Sequence, residues 1–199
     1  MFQYYISQID LKSKIEEAPA TSVLTILVLY GFIIQIFIII LFGEKVFAFL
    51  FAVDGITNPR PAWVLHLFAH LNPLHLLMNI ALFPVYGWAI ESELGSRLII
   101  VVFFLAGVPS GVIHATITGG AGGGASGAIF GLMMFCVPYY FNGSDDTSNR
   151  FLFVLAVCAV LSLPVQLLVD VLILDGINYS HIGGAFIGFS IGGYKTLHT

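Results

Sequence analysis

Ser126 lies in the run Gly122-Gly-Gly-Ala-Ser-Gly127 and His181 in the run His181-Ile-Gly-Gly184. These two residue types can do chemistry together. A serine hydroxyl is a poor nucleophile until a base takes its proton, and imidazole does this near neutral pH. The pair would support attack on a carbonyl carbon, with the histidine passing the proton on to the leaving group. The oxyanion formed on the way needs hydrogen-bond donors. His75 and Asn79 are four residues apart, share one helical face, and can both donate. The backbone N–H of Ser126, at a helix start, adds a third donor and the positive end of a helix dipole.

The elements that must hold these groups are membrane helices. Of 199 residues, 58% are hydrophobic and only 9% charged, where a soluble domain would carry roughly a quarter charged. Mean hydropathy is +0.98. The net charge of -4 gives no basic surface for nucleic acid, and no basic cluster suits lipid headgroups. The first twenty residues carry Asp10, Lys12, Lys14, Glu16 and Glu17 before any apolar run, which is unlike a cleavable signal peptide. Residues 1–20 are therefore expected as a cytoplasmic N-terminal segment, and residues 21–199 as one membrane domain.

The expected fold is all-α, a polytopic bundle of six transmembrane helices, each near the ~20 residues a bilayer needs. The segments run from Thr21 to Phe42, Pro73 to Ile90, Arg97 to Thr118, Ser126 to Phe141, Phe151 to Leu174 and Tyr179 to Tyr194. Helix is the state that satisfies the backbone in lipid. The fourth is short, so the glycine-rich stretch before it should dip into the protein. Pro84, Pro109 and Pro164 should kink the second, third and fifth. No internal repeat suggests an inverted-repeat transporter. Lys12, Lys14, Arg97, Arg150 and Lys195 fall on one side and Lys45 and Arg60 on the other. That bias puts both termini in the cytoplasm.

With this orientation the second, fourth and sixth segments all start on the non-cytoplasmic side. Their first turns carry His75 and Asn79, Ser126 and Gly127, and Tyr179 and His181, so the polar groups share one depth. Gly127 and Gly131 make one flat face; Gly184, Gly188 and Gly192 make another. Small residues at this spacing let membrane helices approach closely. His181 lies on the second face and Ser126 heads the first, so packing the two should join them.

His75-Leu-Leu-Met-Asn79, Gly124-Ala-Ser-Gly127 and His181-Ile-Gly-Gly184 resemble the three motifs of rhomboid intramembrane serine proteases. The likeness runs from about His66 to Gly193, in the family's order. It implies a six-helix rhomboid core with Ser126 as nucleophile and His181 as base, and an oxyanion hole lined by His75 and Asn79. It also implies a supporting role for His70 near the active-site loop, and Phe130 packing beneath the histidine where a tyrosine is common. Gly124, Gly127 and Gly184 complete the motifs. Family members cut membrane-anchored proteins near or within their spans, without metal or cofactor. This chain departs where many relatives carry Trp-Arg in the first luminal loop: here Trp63 is followed by Val64. Glu91-Ser-Glu93 keeps the acid of a Glu-x-Arg motif and lacks its arginine. Compact eukaryotic secretory-pathway rhomboids tolerate such changes, which points to the Golgi or a related membrane.

Other polar residues read more plainly. His66, His70 and His75 lack a carboxylate or cysteine to join them, so no metal is expected. Cys136 and Cys158 read as buried apolar residues. His114 and His198 read as structural or solvated, and the 142–149 run as a polar loop. No carboxylate is evidently placed behind His181. Asp175 is a weak candidate. Asp170 reads as a satisfied or interfacial aspartate, with a buried partner or a substrate gate as alternatives. Besides proteolysis, two readings stand: a rhomboid-like protein that binds or escorts membrane clients without cutting them, and a small transporter. The near absence of charge along the helix centres argues against the transporter.

Overall fold

The computed structural model describes residues 15–70, 72–143, 150–172 and 176–197. Most of the 1–20 segment, residues 144–149 of the polar loop, Asp175 and His198 lie outside them. The described chain is all-helical. It comprises α1 (Pro19–Phe42), α2 (Glu44–Phe51), α3 (Ala62–Leu65) with a 3-10 turn (His66–Phe68), α4 (Pro73–Leu94), α5 (Ser96–Thr118), α6 (Ser126–Pro138) with a π turn (Tyr139–Gly143), α7 (Arg150–Leu172) and α8 (Tyr179–Leu197).

The six long segments expected from hydropathy are α1, α4, α5, α6, α7 and α8. Four of them, α1, α4, α5 and α7, are long and apolar enough to cross a membrane, and the protein is an integral multi-pass membrane protein. Helix α6 is shorter and buried almost throughout, packed against α4, α5, α7 and α8. Helix α8 has 19 residues and spans about 28 Å, but its five glycines and polar residues dilute its hydropathy. Its glycine face is turned inward, with Gly184, Ala185, Gly188 and Gly192 buried. Helices α4, α5 and α7 each run on through their prolines.

Helix α1 exposes Val23, Ile26, Leu27, Ile33, Phe37 and Ile40 around most of its surface, as a lipid-facing helix should. Its first turn is tied to the far end of α4. Glu91, buried there, accepts from the Ala20 and Thr21 N–H groups at 2.8 Å and from Thr21 Oγ1 at 2.7 Å. It also accepts from Ser96 Oγ at 2.6 Å. A buried carboxylate is tolerable when its lone pairs are filled in this way. Glu93 accepts from the Tyr139 hydroxyl at 2.8 Å. Of the two cysteines, Cys136 is buried as expected and Cys158 is exposed, on the outward face of α7.

The connection from α1 to α4 is more structured than its sequence suggests. Phe47 and Phe51 stack one turn apart on α2, with centroids 5.6 Å apart. Arg60 pairs with Asp54, and Trp63 Nε1 donates to the Gly55 carbonyl at 3.3 Å. Val53, Ala62, Val112 and Ala115 form a small apolar cluster that fixes this connection to α5. Val53 also makes a two-way backbone bridge with Gly122, so the connection braces the loop before Ser126.

Candidate active site

Ser126 is the first residue of α6. The loop before it turns into the protein through Gly124, whose φ of +107° lies in the region that favours glycine. A Cβ at Gly124 would lie 2.7 Å from His75 Cε1, so the side chain is excluded as well. The Gly124 N–H donates to the His66 carbonyl at 2.7 Å. These constraints aim the Ser126 hydroxyl at the mouth of α8.

The two glycine faces meet. A Cβ at Gly184 would overlap the Gly127 carbonyl, and one at Gly188 the Gly131 carbonyl. The same close approach brings His181, in the first turn of α8, to Ser126. His181 Nε2 lies 3.1 Å from Ser126 Oγ, and both residues are buried. The Phe130 ring, one turn below Ser126, lies against the imidazole with centroids 4.6 Å apart and planes tilted by 32°.

His75 and Asn79 occupy one face of α4, as their spacing predicts, with Asn79 Nδ2 3.4 Å from His75 Nε2. Asn79 Nδ2 also lies 2.6 Å from His70 Nε2, and the Ala125 N–H points at the same nitrogen at 3.4 Å. His70 is therefore an acceptor to both sides of the site, a role only a neutral imidazole can fill. Burial, and then the nearby His75, push the His70 pKa down to about 4. Burial also lowers that of His66. Gln35 of α1 grips the His70 backbone. Its Oε1 accepts the His70 N–H at 2.8 Å, and its Nε2 donates to the His70 carbonyl.

Several residues of the site were not evident from sequence. Asn178 precedes α8, and its Oδ1 accepts the Ser180 N–H at 3.1 Å. An asparagine just before a helix is a capping signal. Its Nδ2 lies 3.3 Å from His181 Nε2, which the signal does not foretell. Asp170 is the larger correction. It is buried near the end of α7, and its Oδ2 lies 3.4 Å from His181 Nδ1. A carboxylate does stand behind the imidazole, from eleven residues upstream. Helical spacing within α7 says nothing about which side of α8 it meets.

Behind the glycine loop that leads to α6 is a polar-lined cavity of about 90 Å³, bordered by His66, Ser110, His114, Gly124, Asn178 and Ser180. It has room for several waters. A second cavity of about 540 Å³ opens next to it, lined by Phe47, Phe51, Ala69, His75, Gly123 and Asn178. Among the described residues, no group of three or more His, Cys, Asp or Glu could hold a metal. The arrangement joins a hydroxyl to a base, with the Asn178 amide beside that base and a polar-lined cavity behind the Gly124 loop. That set of groups can perform acyl transfer to water.

The Rhomboid domain family model matches residues 60–197 of the chain. Rhomboid protease GlpG of Serratia proteamaculans (strain 568) is 28% identical over 138 residues, covering 68% of this chain and 48% of that protein. Rhomboid protease GlpG of Salmonella paratyphi A is 27% identical over 138 residues, with 67% and 48% covered. The Salmonella newport protein of the same name is 34% identical over 68 residues, 34% of this chain and 25% of its own. The chain spans about half the length of the first two relatives.

Proposed function

The chain belongs to the rhomboid family, and on that premise we propose that it is an intramembrane serine endopeptidase acting on membrane-anchored proteins. The observation that carries the reading is the 3.1 Å approach of Ser126 Oγ to His181 Nε2 across 55 residues of chain. Ser126 Oγ attacks the scissile carbonyl carbon while its proton passes to Nε2. The carbonyl electron pair moves onto oxygen. The Ser126 N–H, the half-buried His75 and the second amide hydrogen of Asn79 are the donors for that charge. Collapse of the intermediate expels the amine, which takes the proton from Nε2, and leaves an acyl-serine. A water then gives its proton to Nε2 and adds to the acyl carbon, and the serine leaves with that proton. The cavity beside Gly124 is a source of such water inside an apolar protein. Ser126 and His181 are thus the catalytic residues of this proposal. His70, Phe130, Gly124, Gly127 and Gly184 support them.

The substrate is a membrane-anchored segment that unwinds near small residues, entering from the bilayer towards the larger cavity. The Lys and Arg bias favours both termini in the cytoplasm and the site beneath the opposite membrane surface, and the departures at Trp63-Val64 and Glu91-Ser-Glu93 favour the Golgi or a related membrane. Residues 21–199 form the catalytic domain and residues 1–20 a cytoplasmic segment. The test is cleavage of a tagged, membrane-anchored reporter co-expressed with the chain. Ser126→Ala and His181→Ala should abolish the cut while both variants remain inserted. Continued cleavage by Ser126→Ala defeats the assignment.

A further inference from the structure

We propose that Asp170 is a positioning residue that holds His181 in the tautomer the reaction needs, making the site a Ser126–His181–Asp170 arrangement rather than a dyad. The inference deepens the protease reading and rests on it for its kinetic consequence.

Three observations carry it. The first is the cost of the carboxylate. Asp170 has no exposed surface, in a helix long and apolar enough to span a membrane. An aspartate there is expensive and asks for partners. Its oxygens have them. Gln166 Nε2 donates to Oδ1 at 2.8 Å, and the Asn178 N–H to Oδ2 at 3.2 Å. These are donors to an acceptor, and they turn the remaining lone pairs of Oδ2 toward α8.

The second is the state of the imidazole's rear nitrogen. His181 Nδ1 is buried and makes no hydrogen bond of normal geometry. Asp170 Oδ2 is its oxygen neighbour at 3.4 Å. This is a slightly long approach that would shorten as positive charge develops on the ring.

The third is the front nitrogen. Nε2 faces the Ser126 hydroxyl at 3.1 Å and Asn178 Nδ2 at 3.3 Å. The Asn178 amide orientation is set by its Oδ1, which accepts from both the backbone N–H and the hydroxyl of Ser180. Two donors therefore point at Nε2, and an acceptor faces Nδ1. A proton on Nε2 would oppose the Asn178 N–H and leave the Nδ1 lone pair facing a carboxylate. A proton on Nδ1 satisfies both sides and leaves Nε2 the free base. Asp170 does not take the proton from serine. It keeps the ring oriented and favours the imidazolium while the proton resides on Nε2.

The Asp170 side chain also holds the start of α8, since its Oδ2 accepts the Asn178 N–H at 3.2 Å. The test must therefore separate orientation of the ring from folding of the turn. Histidines are labelled with 15N in the purified full chain in detergent, and the His181 signals are assigned by their loss in His181→Gln. The wild type should show neutral His181 protonated at Nδ1, and Asp170→Asn should move it toward the Nε2-protonated form. In parallel, Asp170→Asn should lower kcat on a reporter about 100-fold or more with KM within about twofold. Gln166→Leu keeps the carboxylate and removes one support; it should lower kcat less, with KM again held. The same His181 tautomer in wild type and Asp170→Asn overturns the proposal. So does a kcat within about twofold of wild type, or a loss of kcat that comes only with a matching rise in KM and a lower melting temperature. If the wild type neither cuts the reporter nor reacts with a serine probe, the protease reading fails, yet the tautomer comparison still decides the role of Asp170.

Discussion

Gly184 of α8 sits directly on the Gly127 carbonyl of α6, with no room for a Cβ between them. This contact sets the spacing of the two helices one turn below the paired hydroxyl and imidazole. It is the physical reason that residues far apart in sequence reach hydrogen-bond distance. Gly184→Ala should push the helices apart, costing about 1–3 kcal/mol of stability. Reporter cleavage should fall at least tenfold. Gly193, on the same helix, has nothing within reach of an added Cβ, so Gly193→Ala should leave cleavage unchanged. Equal effects of the two substitutions would remove the packing argument.

Asn79→Ala should lower kcat by about a hundredfold or more if its amide donates to the developing oxyanion. Because Asn79 also donates to His70 Nε2 at 2.6 Å, a melting temperature is read beside the rate, so that loss of that contact is told apart from loss of the oxyanion donor. Substrate binding, read as KM, should change little in Asn79→Ala. A variant with normal kcat and raised KM would place Asn79 in substrate binding instead.

Stability should depend on pH through the buried connecting-segment histidines. His70 is held down at about 4 against the usual 6.5. Between those values the unfolded chain binds a proton that the folded chain refuses, so stability is complete above about pH 6.5 and is lost as pH falls toward 4. The loss for His70 approaches about 3 kcal/mol, and His66, also lowered by burial, adds in the same direction. Thermal unfolding in detergent at a series of pH values measures it. Replacing His70 with glutamine should flatten the slope; an unchanged slope contradicts the assignment.

Glu91→Ala removes one carboxylate that accepts from four donors on α1 and at the α4–α5 junction. The expected loss is about 3 kcal/mol, read as a lowered melting temperature. Because Glu91 is at the opposite end of α4 from His75, kcat at low temperature should stay within about twofold of wild type.

Much of the scaffold was legible because its signals are local. Long apolar runs mark α1, α4, α5 and α7, and glycines four apart on α6 and α8 mark the face where they meet. The common depth of His75, Ser126 and His181 follows from counting spans. Contacts decided by three-dimensional packing were not legible. Gln35 and Asp170 each look like an isolated polar residue in an apolar helix; only the folded chain shows that one grips the His70 backbone and the other faces His181 Nδ1. The short helix at Glu44–Phe51 and the turn at His66–Phe68 are too brief to leave a periodic pattern. Their order comes from the Val53–Gly122 bridge and the small cluster against α5.

The most direct measurement is covalent labelling of the purified chain in detergent by a fluorophosphonate, which reacts with a serine only when a base activates it. Wild type should be labelled at Ser126, located by mass spectrometry, while Ser126→Ala is unlabelled and His181→Ala is slowed at least about a hundredfold. Labelling of His181→Ala at the wild-type rate, or of wild type at some other residue, would contradict the claim that these two side chains form one nucleophilic pair.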